Sequence, residues 1–214
     1  MGLLDRLSSR RSEPERDPPP ASHAQEPLFS TKALRKFLAA LSARDSSTLL
    51  DVAPVVGSNL NFFGEQLGCK VLIEDLYSEI ERHVREQKLA DLPAFFSKRF
   101  RYADATVDGV LCWDLMDYLD RPAAQALAIQ LTRLLKPEGV LLAFFGTAQP
   151  RDVHYTRYVI VDDVNLKHRP FPASRGRQAI FANRDIIRLF DRLRVSDSFL
   201  LQNNLREILF RKPA

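Results

Sequence analysis

Between residues 28 and 214 the chain alternates short apolar runs with stretches whose apolar residues recur at helical spacing. Leu34, Phe37, Leu38 and Leu41 share one face of a helix that Ser30 or Thr31 would cap and that runs to about Ala43. Thr48–Val52 is a short apolar run, the pattern of a strand buried in a parallel sheet. A turn containing Pro54 and Gly57 follows it, and Asn59–Leu67 reads as the start of a helix. Lys70–Glu74 predicts the next strand, and Ser78 caps a helix from Glu79 to about Gln87. Leu92, Phe95, Phe96 and Phe100 have helical spacing, with Lys98, Arg99 and Arg101 between them, and no third strand is legible here. Val107–Trp113 is again strand-like, and a helix spans about Pro122–Leu135 with Ala124, Leu127, Leu131, Leu134 and Leu135 inward. Lys136-Pro137-Glu138-Gly139 stops it before the uniformly apolar Val140–Phe145.

After Gly146 the pattern changes. Tyr155–Val164 is rich in β-branched and aromatic residues and predicts an added strand. Leu166–Gln178, with Lys167, His168, Arg169, Arg175 and Arg177 among prolines and a glycine, predicts a basic loop. Asn183 caps a helix over Arg184–Arg192, and Val195–Leu201 with Leu205–Phe210 forms a closing hairpin. Strand and helix in alternation predict an α/β, Rossmann-like, mainly parallel sheet with helices on both faces and an antiparallel C-terminal β-hairpin. Ahead of it, Pro14, Pro18, Pro19, Pro20 and Pro27 stand among charged and small residues. That composition buries too little apolar surface to order itself, so residues 1–27 are expected to be a disordered tail and residues 28–214 the domain.

Composition adds bounds. A chain of 214 residues, 45% hydrophobic and 27% charged, is ordinary for one globular domain with an extension. Cys69 and Cys112 sit beside or within apolar runs and read as reduced core residues of a cytoplasmic protein; no spacing suggests a metal site. No apolar run approaches the roughly 18 residues of a membrane span, and the N-terminus lacks a secretory apolar core. Net charge is +4, with −1 on residues 1–27, −1 on residues 28–150 and +6 on residues 151–214. The last third therefore either faces an anionic partner or is a solvated cationic surface.

The candidate chemistry begins at Asp51, a carboxylate at a strand end. In open α/β sheets ligands bind outside the carboxyl ends of strands, so the turn after Asp51 is either a cofactor cradle or an ordinary connection. Asp51-x-Ala53-x-Val55-x-Gly57, the acidic end Glu74-Asp75 of the next strand, Val107-Asp108-Gly109-Val110-Leu111-Cys112-Trp113-Asp114 and Leu134-Leu135-Lys136-Pro137-Glu138-Gly139 together resemble the class I S-adenosylmethionine-dependent methyltransferases over residues 28–214. The resemblance implies S-adenosylmethionine as cofactor and a methyl acceptor, small or macromolecular. It implies that Asp51, Ala53 and Gly57 pass the methionine part of the cofactor. Asp75, with Glu74 as neighbour, would take the ribose hydroxyls, and Cys112 and Trp113 would line the mouth where the methyl emerges. Trp113 equally suits a packing role, and Asp114 a helix cap; no catalytic residue is assigned.

The chain departs from the family pattern at the first turn. Glycines are expected at alternating positions there, for left-handed backbone and close approach to the ligand, and Ala53 and Val55 stand at two of them. Either the loop takes another path around the cofactor, or the protein is a methyltransferase-shaped binding module that works through its cationic last third.

Overall fold

The computed structural model describes residues 26–214, so the predicted tail lies outside the described residues except for Glu26 and Pro27. In chain order β1 (Leu28–Ser30), α1 (Ala33–Ser42) and β2 (Thr48–Asp51) lead to α2 (Gly57–Asn61) and a π-helical turn at Phe62–Gln66. β3 (Lys70–Ile73), α3 (Leu76–Arg85), a 3₁₀ turn at Leu89–Asp91 and α4 (Leu92–Arg99) precede β4 (Val107–Trp113). Then come α5 (Arg121–Leu134), β5 (Leu135–Gly146), β6 (His154–Ile160), β7 (Asn165–Pro172), α6 (Asn183–Leu189), β8 (Arg194–Leu200) and β9 (Leu205–Arg211).

The main sheet has the order β3-β2-β4-β5-β9-β8. β3, β2, β4 and β5 run parallel, while β9 and β8 close the sheet antiparallel, as the hairpin pattern predicts. All seven residues of β4 are buried, because helices cover both faces of a sheet built by strand–helix crossovers. α1 lies across β4, β5, β8 and β9 through Leu34, Phe37, Leu38 and Leu41. It lies close enough that a Cβ on Gly109 would come within 2.8 Å of Leu41 and 3.1 Å of Phe37, so only glycine fits beneath it.

The start of α1 is held differently from the prediction. Ser30 belongs to β1, and the Thr31 hydroxyl accepts only a long 3.4 Å bond from the Leu34 N–H. The cap is the wholly buried Glu207 of β9, whose Oε2 accepts the N–H groups of Lys32 at 2.8 Å and Ala33 at 2.9 Å. A carboxylate on the free donors at a helix start satisfies them and opposes the helix dipole. Glu207→Ala is therefore expected to lower stability by about 2–4 kcal/mol, the range for losing hydrogen bonds to a buried charged group. Urea unfolding checks this, and an unchanged midpoint would remove the cap from the account.

The predicted helix after β3 also begins earlier. Asp75, not Ser78, is its N-cap and accepts the Ser78 N–H at 3.0 Å. Among the described residues no strand lies between β3 and β4, so β3 is a sheet edge. Arg133 of α5 fixes the segment that stands there instead, donating to the carbonyls of Phe100 at 3.1 Å and Tyr102 at 2.9 Å.

Residues 166–178 are not a basic loop throughout, because 166–172 belong to β7, paired with β6 on one side and β1 on the other. The cationic residues hid the strand pattern. Lys167 and Arg169 are both ion-paired to Glu26, while Leu166 is buried and His168 stacks on Phe29. This second sheet, β1-β7-β6, rests over the carboxyl edge of the main one through bonds described below. No helix among the described residues is long and apolar enough to cross a membrane.

Candidate functional site

The four parallel strands end on one edge, where β2 delivers Asp51, β3 delivers Glu74, β4 delivers Trp113 and Asp114, and β5 delivers Gly146. Asp51 is buried, and its Oδ1 accepts both the Ala53 N–H at 3.1 Å and the Trp113 Nε1–H at 2.8 Å. Burial pushes its carboxyl up to about 7, against the lowering effect of those two bonds. The turn beyond it takes a path that needs no left-handed residue: neither Ala53, Val55 nor Gly57 has positive φ. Val55 points to solvent, and a Cβ on Gly57 would meet no atom.

Trp113 sits at a break in the β4–β5 register with φ at +49°. A tryptophan in the left-handed region costs about 1–2 kcal/mol and persists only where packing dictates it. Three contacts do so. Its indole is bonded to Asp51, stacked on Tyr158 of β6 at 5.0 Å and 7°, and met edge-on by Phe144 at 5.5 Å. Asn59 of α2 fastens β6 in place, donating from Nδ2 to the Tyr158 carbonyl and accepting the Ile160 N–H, both at 2.9 Å. Aromatic side chains thus fill the space above β2 and β4. Cys112 is buried beneath, and burial pushes its thiol well up, so it stays protonated.

Beside Trp113 stands a charged cluster. The Tyr77 hydroxyl donates to Asp114 Oδ1 at 2.8 Å, and Arg177 Nη2 approaches Asp114 Oδ2 at 3.3 Å. Arg177 Nε lies 3.5 Å from Asp117 Oδ2, which also accepts the Gly146 N–H at 2.7 Å. Asp117 Oδ1 has no partner among the described residues. Burial pushes both carboxyls up and Arg177 pulls both down; for Asp117 burial wins by far. The cluster therefore holds a neutral Asp117 beside one Asp114–Arg177 ion pair. A Cβ on Gly146 would fall 1.4 Å from Arg177 Nη1, so that glycine is the floor over which the guanidinium passes. Tyr118 donates to the His154 carbonyl at 2.9 Å, and Tyr155 to Glu81 at 2.7 Å, which anchors β6 at two further points.

Of the residues singled out from sequence, Asp51, Ala53, Cys112 and Trp113 meet on this edge, with Gly57 at the start of α2. Glu74 and Asp75 stand at the neighbouring strand end with other engagements. Glu74 pairs with Arg99 at 2.5 Å and accepts the Tyr102 hydroxyl at 2.8 Å, while Asp75 caps α3. Asn59, Asp117, Tyr158 and Arg177 were not singled out. Asp117 had a signal, three residues beyond Asp114 in the turn after a strand; Tyr158 and Arg177 had none, being distant in sequence.

The fold is similar to that of an S-adenosylmethionine-dependent methyltransferase from Aquifex aeolicus, at 16% identity over 83% of this chain and 88% of that one, with a TM-score of 0.50. It is equally similar to the (4+2)-cyclase SpnF, at 11% identity over 84% of this chain and 81% of that one, also with a TM-score of 0.50. No protein-family model matches the chain. No curated protein matches it either. The chain has the Rossmann-like fold of the class I methyltransferases. The fold by itself does not fix the chemistry, since one of these two neighbours is a cyclase.

Proposed function

We propose that the protein binds S-adenosylmethionine at the carboxyl edge of β2, β3 and β4 and passes its methyl group to an acceptor. The observation that carries the reading is the meeting of Asp51, Ala53, Cys112 and Trp113 on adjacent strand ends, with the Glu74–Asp75 pair at the next strand, in this fold. The residue types suit the cofactor: Asp75 and Glu74 as acceptors for ribose hydroxyls, and Asp51 and the 53–57 turn beside the methionine part. The bound cofactor supplies an electrophilic methyl group, and the protein's share is to position the acceptor and exclude water. For the space to fit, the Trp113 indole has to leave Asp51 and Tyr158, and β6 has to loosen from Asn59. The reading includes a cytoplasmic location, supported by two free, buried cysteines.

A second reading is favoured by the filled edge itself. A module that keeps the fold without the cofactor would have an aromatic plug in this place, and its cationic residues 151–214 would meet an anionic partner. One titration separates the two. Trp113 is the only tryptophan, so its emission reports the plug directly. Addition of S-adenosylmethionine or S-adenosylhomocysteine is expected to give a saturable heat together with a red shift as the indole becomes solvated. Neither heat nor shift at millimolar ligand would reject the methyltransferase and leave the binding module.

A further inference from the structure

We propose that the cavity between α4 and the carboxyl end of β3 binds a nucleoside phosphate. The cavity measures about 670 Å³, within the range that holds a ligand of that size. It exists because β3 is a sheet edge: α4 and the segment to Tyr102 stand off from it instead of pairing with it. Its charged lining is Lys98, Arg99 and Arg101 against Glu74 and Asp91. Glu74 is taken by Arg99 and by the Tyr102 hydroxyl. Lys98 and Arg101 are exposed, and neither makes an ion pair or a side-chain hydrogen bond among the described residues. Cations in the last turn of a helix answer its dipole, which accounts for Lys98 and Arg99. Arg101 lies beyond the helix, where the dipole gives it no reason to be cationic.

The walls supply the second element of recognition. Phe95 and Tyr102 both line the cavity, half-buried. Phe95 is braced by the His83 ring at 4.9 Å and the Arg82 guanidinium at 5.7 Å. Tyr102 is held by Glu74 through its hydroxyl and by Arg133 through its carbonyl. Rings fixed in this way lose little freedom when a flat base packs on them, and the unpaired cations beside them suit a phosphate. Free phosphate would use the cations and leave the rings bare; a nucleoside phosphate uses both. This inference stands independently of methyl transfer, because it concerns an anionic ligand and different side chains.

The test is calorimetric titration of the full chain with adenosine monophosphate, guanosine monophosphate and inorganic phosphate at low salt. A monophosphate nucleoside is expected to bind about tenfold or more tightly than phosphate, the factor that base stacking supplies. Arg101→Glu, at an exposed position, is expected to weaken nucleotide and phosphate alike by about tenfold or more. Phe95→Leu keeps an apolar side chain in place and is expected to weaken the nucleotides while leaving phosphate unchanged. Melting curves confirm that each variant is folded. Absence of saturable binding, equal affinity for phosphate and nucleotide, or nucleotide binding indifferent to Arg101→Glu would each overturn the proposal. Trp113 emission plays no part in this readout, so failure here is distinct from failure of the methyltransferase reading.

Discussion

Arg177→Leu is expected to lower the unfolding free energy by about 3–5 kcal/mol near neutral pH, the usual cost of removing one member of a buried ion pair. Asp114 is fully buried and Arg177 is its cationic neighbour within the cluster; without it the carboxyl has Tyr77 but no counter-charge. The loss has a pH signature. With the guanidinium gone, ionised Asp114 is disfavoured further, so the folded variant binds a proton at higher pH than the parent does. Its deficit is therefore greatest in alkali and shrinks as pH falls and the carboxyls are neutralised. Urea unfolding at about pH 5 and pH 8 reads both effects. In an Asp114→Asn background the same Arg177→Leu change should cost much less, because no charge is stranded. An equal cost in both backgrounds would mean that Arg177 acts through packing alone. Asp117→Asn is the companion variant: an already neutral carboxyl loses little on becoming an amide, so its effect is expected to be small.

The second large effect belongs to Asp51. An aspartate in the unfolded chain ionises near pH 4, whereas burial holds the folded carboxyl at about 7. Between those values the folded state binds a proton that the unfolded state has lost, so stability declines as pH rises through the window. The full decline from this one group is about 4 kcal/mol, three pH units at roughly 1.4 kcal/mol each. Asp114 and Asp117 have carboxyls raised in the same direction, so the parent profile contains all three. Asp51→Asn isolates one contribution, because the amide oxygen still accepts from the Trp113 indole and the Ala53 N–H while nothing titrates. The variant is expected to show a markedly flatter stability profile from about pH 4 to 7. Parallel profiles for parent and variant would show that Asp51 ionises normally. Trp113 emission gives an independent view, with a transition near neutral pH in the parent that Asp51→Asn abolishes.

The class of fold and the strands that carry Asp51 and Trp113 were legible in the sequence for a simple reason. A strand covered on both faces has to be apolar along its whole length, so β2, β4 and β5 announce themselves without reference to the rest of the chain. The C-terminal hairpin and α5 were equally readable, since period and capping are local properties. The missing third strand was also visible as an absence of strand pattern between residues 89 and 105, and that gap leaves β3 as an edge with the cavity beside it.

Tertiary structure alone decided how the site is filled. β7 was hidden because Lys167 and Arg169 look like loop residues until Glu26 is placed beside them. The partners Trp113–Tyr158, Asn59–Ile160, Asp114–Arg177 and Ala33–Glu207 are separated in sequence by between 45 and 174 residues. No periodicity encodes such pairings. A carboxylate at a strand end is compatible with a cofactor's ribose, a helix cap, an indole donor or a guanidinium. Glu74 went to Arg99, Asp75 to a helix and Asp51 to Trp113 because desolvation makes every buried polar group take the nearest donor that packing presents. The residue types were set by the chain, and their partners by which surfaces the fold brought into contact.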